Sequence, residues 1–273
     1  MPPISRLDHV VIAVRSLDEA AATYRKFGFT LTARGLHEGK GTGNHCLMFG
    51  NTYVELLGVV DATGAEGILA QRVKARGEGG IAVAYGADNA DKTYEALRAA
   101  GIDAEAPNDL SRPLDLDGKR DMVRFRNVNM SGLKLPDTMQ FICTHITPEL
   151  TRARREWQLH PNGATNVAKI IIATDQPQQA ATEFTTLFGS NGVLDNATLS
   201  AQTRDQIEKH AGPDALKGAP NQGIIGLTIR VNEIDAVGAM LQMGRIAHRE
   251  TKQGIIVPAH VAHGVYLEFS EES

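Results

Sequence analysis

One unit recurs along this chain, and its repetition constrains the fold more than any other feature of the sequence. An apolar, strand-like stretch is followed by a turn and then by an amphipathic helical pattern. The two clearest copies are "VVIAVRSLDEAA" at residues 10–21 and "IIIATDQPQQAA" at residues 170–181. Internal repetition on this scale predicts a chain assembled from several copies of one supersecondary structure.

The first copy is the most complete and covers about residues 7–60. Ser16 is a candidate helix N-cap with Glu19 three residues later, which is the spacing of a capping box. Gly28 follows the apolar face of the helix and predicts its C-terminal end. Three strand-like segments come next, "FTLTARG", "NHCLMFG" and "TYVELLGV". This copy is therefore predicted to be a β-α-β-β-β module.

Three more copies begin at about residues 79, 166 and 224. The second extends to residue 147, and residues 148–165 are predicted to connect it to the third. The third is the poorest, because residues 190–222 are polar and rich in turn residues. Either its strands are degenerate or an insertion replaces part of them. We predict an α+β fold with about four βαβββ modules in two domains, 1–147 and 166–273.

Composition disfavours several classes of function. The chain has 273 residues, 42% of them hydrophobic and 22% charged, as expected for a globular protein with two domains of ordinary size. A formal net charge of −4 gives no general attraction to nucleic acid or to an anionic membrane. The two cysteines, Cys46 and Cys143, are far apart, so no disulfide framework is expected. Because we find no signal peptide and no membrane-spanning run, we expect a cytoplasmic protein.

The modules resemble those of the vicinal-oxygen-chelate superfamily, which contains glyoxalase I, fosfomycin-resistance proteins and extradiol dioxygenases. The residues that carry the resemblance are "LDHVVIAV", "GNHCLMFGNTYVELLG" and "EWQLHPNGA", and the glyoxalase-like domain branch is the most similar. The resemblance covers nearly the whole chain and is weak in residues 190–222. It implies that modules pair into open, cup-shaped mixed sheets around a metal or a substrate, with two cups in this chain.

The same resemblance implies a metal site in the first cup. Metal-binding members usually take one ligand from the first strand of a module and one from the fourth, which here are His9 and Glu55. An imidazole nitrogen and a carboxylate oxygen suit divalent iron, manganese, nickel or zinc. His145, in the last strand of the second module, is a candidate third ligand. The alternatives are ordinary hydrogen bonds for His9, an arginine partner for Glu55, and a solvent-exposed strand end for His145.

The other modules match this ligand pattern poorly. In the second, Gly80 occupies the position that we align with His9, and Cys143 takes the place of Glu55. In the second domain the positions aligned with His9 are Lys169 and, approximately, Ile224, so the two histidines of an extradiol dioxygenase iron site are missing.

One acidic residue of the second domain keeps the ligand type. Glu268, in "GVYLEFS", stands in the last strand of the fourth module. We expect it to form an internal ion pair with Lys169.

Four further residues are candidates for the site. His45, in the third strand, could act as a general base. Arg124 and Arg126 lie on one strand face and either bind an anionic group of the substrate or face solvent. His160, in the turn "HPNG", either contacts the ligand or locks the two domains together with Trp157 as the plug.

These patterns favour a metal-dependent lyase or isomerase that acts on a small 2-oxo or vicinal-dioxygen substrate in the first cup. No phosphate-binding or dinucleotide-binding glycine motif is present, so nucleotide dependence is not expected. The alternative is a metal-free binding or resistance protein of the same fold. In a third interpretation the second domain serves only packing or dimerisation. The expected partners are a small molecule and, from the resemblance, a second copy of the chain.

Overall fold

The computed structural model describes residues 3–131 and 135–271. The first half of the described chain contains β1 (Arg6–Val14), α1 (Leu17–Lys26), β2 (Gly35–His37), β3 (Thr42–Met48), β4 (Tyr53–Val59), α2 (Ile68–Arg76), β5 (Gly79–Gly86), α3 (Ala90–Ala99), β6 (Asn108–Leu116), β7 (Lys119–Met130) and β8 (Met139–His145). The second half contains α4 (Pro148–Thr151), β9 (Ala164–Ala173), α5 (Pro177–Phe188), β10 (Thr198–Gln202), α6 (Arg204–Ala211), β11 (Gly223–Val231), α7 (Ile234–Met243), β12 (Arg249–Thr251), β13 (Gly254–Val257) and β14 (Tyr266–Glu271).

These elements confirm the predicted α+β fold of paired modules. The first two modules form one eight-stranded mixed sheet with the order β2-β3-β4-β1-β5-β8-β7-β6. The last two form a six-stranded sheet with the order β10-β9-β11-β14-β13-β12. In each sheet the first strands of two modules, β1 with β5 and β9 with β11, pair antiparallel at the centre. The eight-stranded sheet curves until β6 approaches β2, so its concave face is almost enclosed.

The third module differs from the others, as its poor sequence pattern indicated. It has β9, α5 and one further strand, β10, and then helix α6 and a 3-10 turn at Pro213–Leu216. Apolar residues of α6 and this turn pack in one cluster with residues of β9 and β11. α6 and this turn therefore lie on one face of the six-stranded sheet, and β10, which pairs parallel with β9 as β4 pairs with β1, is the last strand of the module.

The helices begin where the sequence predicts. The Ser16 hydroxyl accepts a hydrogen bond from the Glu19 amide at 3.3 Å, which caps α1. The four long module helices α1, α3, α5 and α7 supply apolar residues to one large cluster that also contains residues of both sheets. Within it Phe29 stacks on Phe269, with 5.9 Å between ring centroids. The two halves therefore share a core, and whether the predicted domains fold separately stays a prediction.

None of the helices in the described ranges combines the length and apolar character that a membrane crossing requires.

Candidate active site

The concave face of the eight-stranded sheet encloses a cavity of about 740 Å³. Residues of all eight strands, β1 to β8, form its wall, together with residues of α2 and with Trp157 from the connecting segment. A cavity of this size accommodates a small organic molecule. Most of its wall is apolar, and the polar groups concentrate around β1, β3, β4 and β6.

The structure brings His9 and Glu55 together on this wall. They lie on the neighbouring parallel strands β1 and β4, whose register pairs His9 with Tyr53. His9 Nε2 lies 3.7 Å from Glu55 Oε2, and both side chains are largely buried. The Asn44 amide donates a hydrogen bond of 2.7 Å to Glu55 Oε1, which leaves Oε2 on the side of the histidine. The Tyr53 ring stacks on the imidazole at 4.3 Å between centroids.

A buried aspartate, which the sequence analysis did not include in the site, orients this histidine. Asp8 Oδ1 lies 2.6 Å from His9 Nδ1, so the proton is on Nδ1 and Nε2 is free to face the cavity. His145 Nε2 approaches the same carboxylate at 3.0 Å, and Thr151 holds the other nitrogen of that ring at 3.1 Å. His145 therefore lies behind the cavity wall and reaches His9 through Asp8.

The Asp8 carboxyl is ionised in this arrangement. Burial alone would raise its pKa, but hydrogen bonds from His145 and His9 outweigh that effect and lower the pKa. The sequence contained one signal that Asp8 could orient His9, namely its position directly before the histidine in "LDH". The sequence did not predict that Asp8 is buried beside His9, because alternation along a strand predicts that neighbouring side chains point to opposite faces.

Two sets of side chains could hold a metal ion. Ligand atoms of Asp8, Cys143 and His145 all lie within 4.8 Å of one another. However, both Asp8 oxygens accept hydrogen bonds from imidazole, and His145 lies behind the wall. His9 and Glu55 instead face the cavity, and their 3.7 Å separation can be bridged by one ion with ligands at about 2.0–2.2 Å. The carboxylate–histidine arrangement at Asp8 is typical of metal-ligating histidines. This second set fits a divalent ion.

The second module adds no ligand to this pair. His9 lies seven residues before the N-cap Ser16, and the residue seven before the corresponding N-cap Asn89 is Ala82. Ala82 pairs with Met139 across the β5–β8 ladder, as His9 pairs with Tyr53 across β1–β4, so the residue that corresponds to Glu55 is Phe141. Ala82 and Phe141 both line the cavity. The alignment of Gly80 with His9 is therefore wrong by two residues, because Val83 corresponds to Val10 when the two strands are aligned on the N-caps of the helices that follow them.

Comparison with known proteins agrees with the fold. A family model described as "Glyoxalase-like domain" matches residues 7–188, about two thirds of the chain. The chain belongs to this glyoxalase-like family. No curated protein is similar enough to the chain to count as a match.

Two solved structures share the architecture of this glyoxalase-like chain at low identity. A hypothetical protein from Staphylococcus aureus has a TM-score of 0.68 and 12% identity, covering 98% of this chain and 100% of that one. A variant of 4-hydroxymandelate synthase from Streptomyces coelicolor has a TM-score of 0.57 and 12% identity, covering 99% and 93%. A methylmalonyl-CoA epimerase from Mycobacterium tuberculosis matches 53% of this chain and 90% of its own, with a TM-score of 0.41 and 18% identity.

The two cysteines of the cavity wall are buried and unpaired. Burial raises the pKa of Cys46 to about 12 and raises that of Cys143 well above its usual value. Both thiols therefore stay protonated at neutral pH and are poor nucleophiles. Burial also raises the pKa of Tyr53 well above its usual value, so this phenol can act only as a neutral hydrogen-bonding group.

Three predicted site residues lie outside the cavity wall. His45 is on the opposite face of β3 from Asn44 and Cys46, and its Nδ1 contacts the Thr32 carbonyl oxygen at 2.9 Å. On β7, Phe125 lines the cavity, whereas its neighbours Arg124 and Arg126 point outward.

Arg124 and Arg126 both lie on the protein surface, outside the cavity. Arg126 forms ion pairs with Asp91 at 2.9 Å and Asp109 at 2.7 Å, and Arg124 is exposed. We therefore do not include His45, Arg124 or Arg126 in the proposed site. Alternation along β3 and β7 was predictable, but the face that points into the cup was not.

His160 joins the connecting segment to the first sheet. Its Nδ1 accepts a hydrogen bond from the Thr30 amide at 3.0 Å, and its Nε2 donates to the Met48 carbonyl at 2.9 Å. Phe29 and Phe49 pack against the ring. With both nitrogens used by the backbone, His160 has no free polar atom to offer a ligand, and Trp157 of the same segment contacts the cavity instead.

We expect low pH to destabilise the contact between His160 and the first sheet. Burial lowers the pKa of His160, so the unfolded state binds a proton that the folded state resists. The stabilisation is complete above the unfolded pKa of about 6.5 and decreases as pH falls below it, by up to about 1.4 kcal/mol per pH unit. Urea unfolding between pH 8 and 5 should therefore show a shallower pH dependence for His160→Gln than for the wild type. Equal slopes for His160→Gln and the wild type would contradict this role.

The corresponding face of the six-stranded sheet is filled. Residues of α6 and the following turn pack against β9, β11 and β14 there. Gly226, seven residues before the N-cap of α7, takes the His9 position, and a Cβ built on it would lie 2.3 Å from the Tyr266 ring. Our alignment of Ile224 with His9 is therefore wrong by two residues.

The buried Glu268 also has different partners from those expected. It contacts His210 at 3.0 Å and accepts a hydrogen bond from Thr228 at 3.0 Å. Lys169 is exposed, so the predicted Lys169–Glu268 pair is wrong. The inserted helix α6, which carries His210, supplies the partner in its place.

Proposed function

We propose that this protein is a metal-dependent lyase or isomerase that acts on a small oxygen-rich substrate in the cavity of the eight-stranded sheet. The observation that carries the proposal is the arrangement of His9: Nδ1 is held by buried Asp8, while Nε2 faces Glu55 at 3.7 Å on the cavity wall. The family membership and the fold are consistent with this chemistry.

Different residues in and behind the cavity wall would have different roles in this reaction. His9 and Glu55 would hold a divalent ion, which when bound supplies a Lewis acid for a substrate oxygen. Asp8 fixes the tautomer and orientation of His9, and Asn44 fixes Glu55. Tyr53, whose hydroxyl has no hydrogen-bond partner among the described residues, donates to an oxygen of the substrate.

His37 is the imidazole best placed to move a proton. It lines the cavity, and its Nδ1 lies 2.9 Å from the Thr42 hydroxyl, which leaves Nε2 available. Burial lowers its pKa, so the ring is neutral near pH 7 and can accept a proton from a substrate carbon. The sequence analysis assigned this role to His45, on the next strand but on the outer face.

A metal-free binding protein is the second candidate. The observation that favours it is the apolar character of Ala82 and Phe141, where the second module would contribute its ligands. Such a protein would bind a small molecule in the cavity without holding a metal and without catalysing a reaction.

Metal content separates the two candidates. In tag-free protein we expect near one divalent ion per chain by mass spectrometry, and its loss in both His9→Ala and Glu55→Gln. Glu268→Gln is the matched control, because it removes a buried carboxylate from β14 and should leave the metal in place. Circular dichroism checks the folding of each variant. A wild type that holds no ion after incubation with iron, manganese, nickel or zinc would contradict the proposal and favour the binding role. An ion retained by Glu55→Gln would contradict the assigned site.

A further inference from the structure

An arginine without a partner faces the same cavity. Arg112 lies on β6, is half-buried and forms part of the cavity wall. Its side chain has no hydrogen bond or ion pair with any described residue. Two other arginines of the β6–β7 hairpin are paired: Arg120 contacts Glu38 at 2.9 Å, and Arg126 contacts two aspartates.

The position of the guanidinium group is defined by its neighbours. A Cβ built on Gly35 would lie 3.0 Å from Arg112 Nη1 and 2.3 Å from Asn44 Oδ1. The guanidinium group therefore lies against the backbone of Gly35, beside the amide that holds Glu55. This places Arg112 on the same side of the cavity as the His9–Glu55 pair.

The charge in this region is not balanced by the wall. Lys40, at the rim, also has no ion pair among the described residues, and Glu38 is engaged by Arg120. Glu55 is held by Asn44 and His9, more than 4.0 Å from the arginine. A guanidinium group partly removed from water is stabilised by a hydrogen-bonding anion, and its planar fork matches a carboxylate with two parallel hydrogen bonds.

We propose that Arg112 binds a carboxylate of the substrate, and that the substrate is apolar apart from this carboxylate and the oxygen atoms that react. The apolar body would lie against Leu114, Phe125 and Trp157, which line the cavity near β6 and β7. This inference rests on the proposed function for the oxygen atoms that react, and it adds the class of molecule: a small carboxylic acid with an apolar body.

Trp157 provides the readout, because it is the only tryptophan and lies in the wall. Its fluorescence is titrated with octanoate, octyl phosphate and 1-octanol, which share one apolar chain and differ in the head group. In the wild type we expect octanoate to bind at least tenfold more tightly than 1-octanol and more tightly than octyl phosphate. In Arg112→Gln the Kd for octanoate should rise at least tenfold, while that for 1-octanol is unchanged. Arg124→Gln, which removes an exposed arginine from the paired strand, should match the wild type.

Several outcomes would overturn the inference: equal affinity for octanoate and 1-octanol, no binding of either, or an unchanged octanoate Kd in Arg112→Gln. A clear preference for octyl phosphate would also overturn it and identify a phosphate site instead. The titration is repeated on Glu55→Gln to separate the two proposals. An Arg112-dependent octanoate site in a protein without metal supports the carboxylate and contradicts the metal-dependent reaction. A protein that holds its metal, and whose octanoate Kd is unchanged in Arg112→Gln, supports the metal-dependent reaction and contradicts the carboxylate site.

Discussion

Replacing Asp8 with alanine is expected to lower the free energy of unfolding by about 3–5 kcal/mol. The buried carboxylate accepts hydrogen bonds from two imidazoles, and hydrogen bonds to a charged group contribute about 1.5–3 kcal/mol each. The same substitution should weaken divalent metal binding by about 10–100-fold, because His9 loses the group that fixes its tautomer and ring orientation. Urea unfolding and competition with a chelator measure the two effects.

Two further variants make this prediction specific. Asp8→Asn keeps the volume and one acceptor oxygen, so we expect a loss of stability smaller than that of Asp8→Ala. Asp88→Asn breaks an exposed pair with Arg6 and should change stability by at most about 1 kcal/mol. A loss below about 1 kcal/mol for Asp8→Ala, or unchanged metal affinity, would show that Asp8 does not support His9.

The paired modules could be predicted from local patterns that repeat along the chain, whereas the His9–Glu55 contact was predicted only from the resemblance to the superfamily. The order of strand, turn and helix repeats in each module, and side-chain helix caps are present in the first two, at Ser16 and Asn89. Once β1 and β4 are adjacent and parallel, their register brings His9 and Glu55 to one face, although they are 46 residues apart in sequence.

The rest of the cavity could not be predicted because it depends on tertiary closure. β6, "NDLSRPLDL", is polar, contains a proline and was not recognised as a strand. Arg112 therefore had no place in the predicted site. His37 was missed because β2 has only three residues, too few for a periodic pattern. The helix α6, which fills the second cup, lies in residues 190–222, whose pattern was partly helical and left open whether the strands are degenerate or replaced by an insertion.

Gly80 shows how a packing constraint can resemble a lost ligand. The β1–β5 ladder pairs Val11 with Ala82 and Ile12 with Gly80, so Ile81 is the extra residue of a bulge. The bulge lets both Ile81 and Ala82 line the cavity and turns Gly80 toward the six-stranded sheet. The glycine thus reflects contact between the two sheets, and its identity carries no information about metal.

Replacing Gly80 with valine is accordingly expected to cost about 3 kcal/mol or more of stability. A Cβ at this position would lie 2.5 Å from the Ile224 Cβ and 3.0 Å from the Ile224 carbonyl oxygen, so the two sheets would have to move apart. Ala82→Val is the matched control, because it adds two methyl groups two residues along the same strand, on the face that lines the cavity. It should cost less than about 1.5 kcal/mol.

A double-mutant cycle tests the cause of that cost. If the valine clashes with the Ile224 side chain, Gly80→Val should be less destabilising in the background of Ile224→Ala, with a coupling energy within about 0.5–3 kcal/mol. Strictly additive effects would mean that the cost comes from contact with the Ile224 Cβ and carbonyl, which alanine keeps, and not from the rest of the Ile224 side chain. Because the cavity lies on the other face of β5, metal content in folded Gly80→Val protein should remain that of the wild type. A loss of metal would mean that contact between the sheets also positions His9.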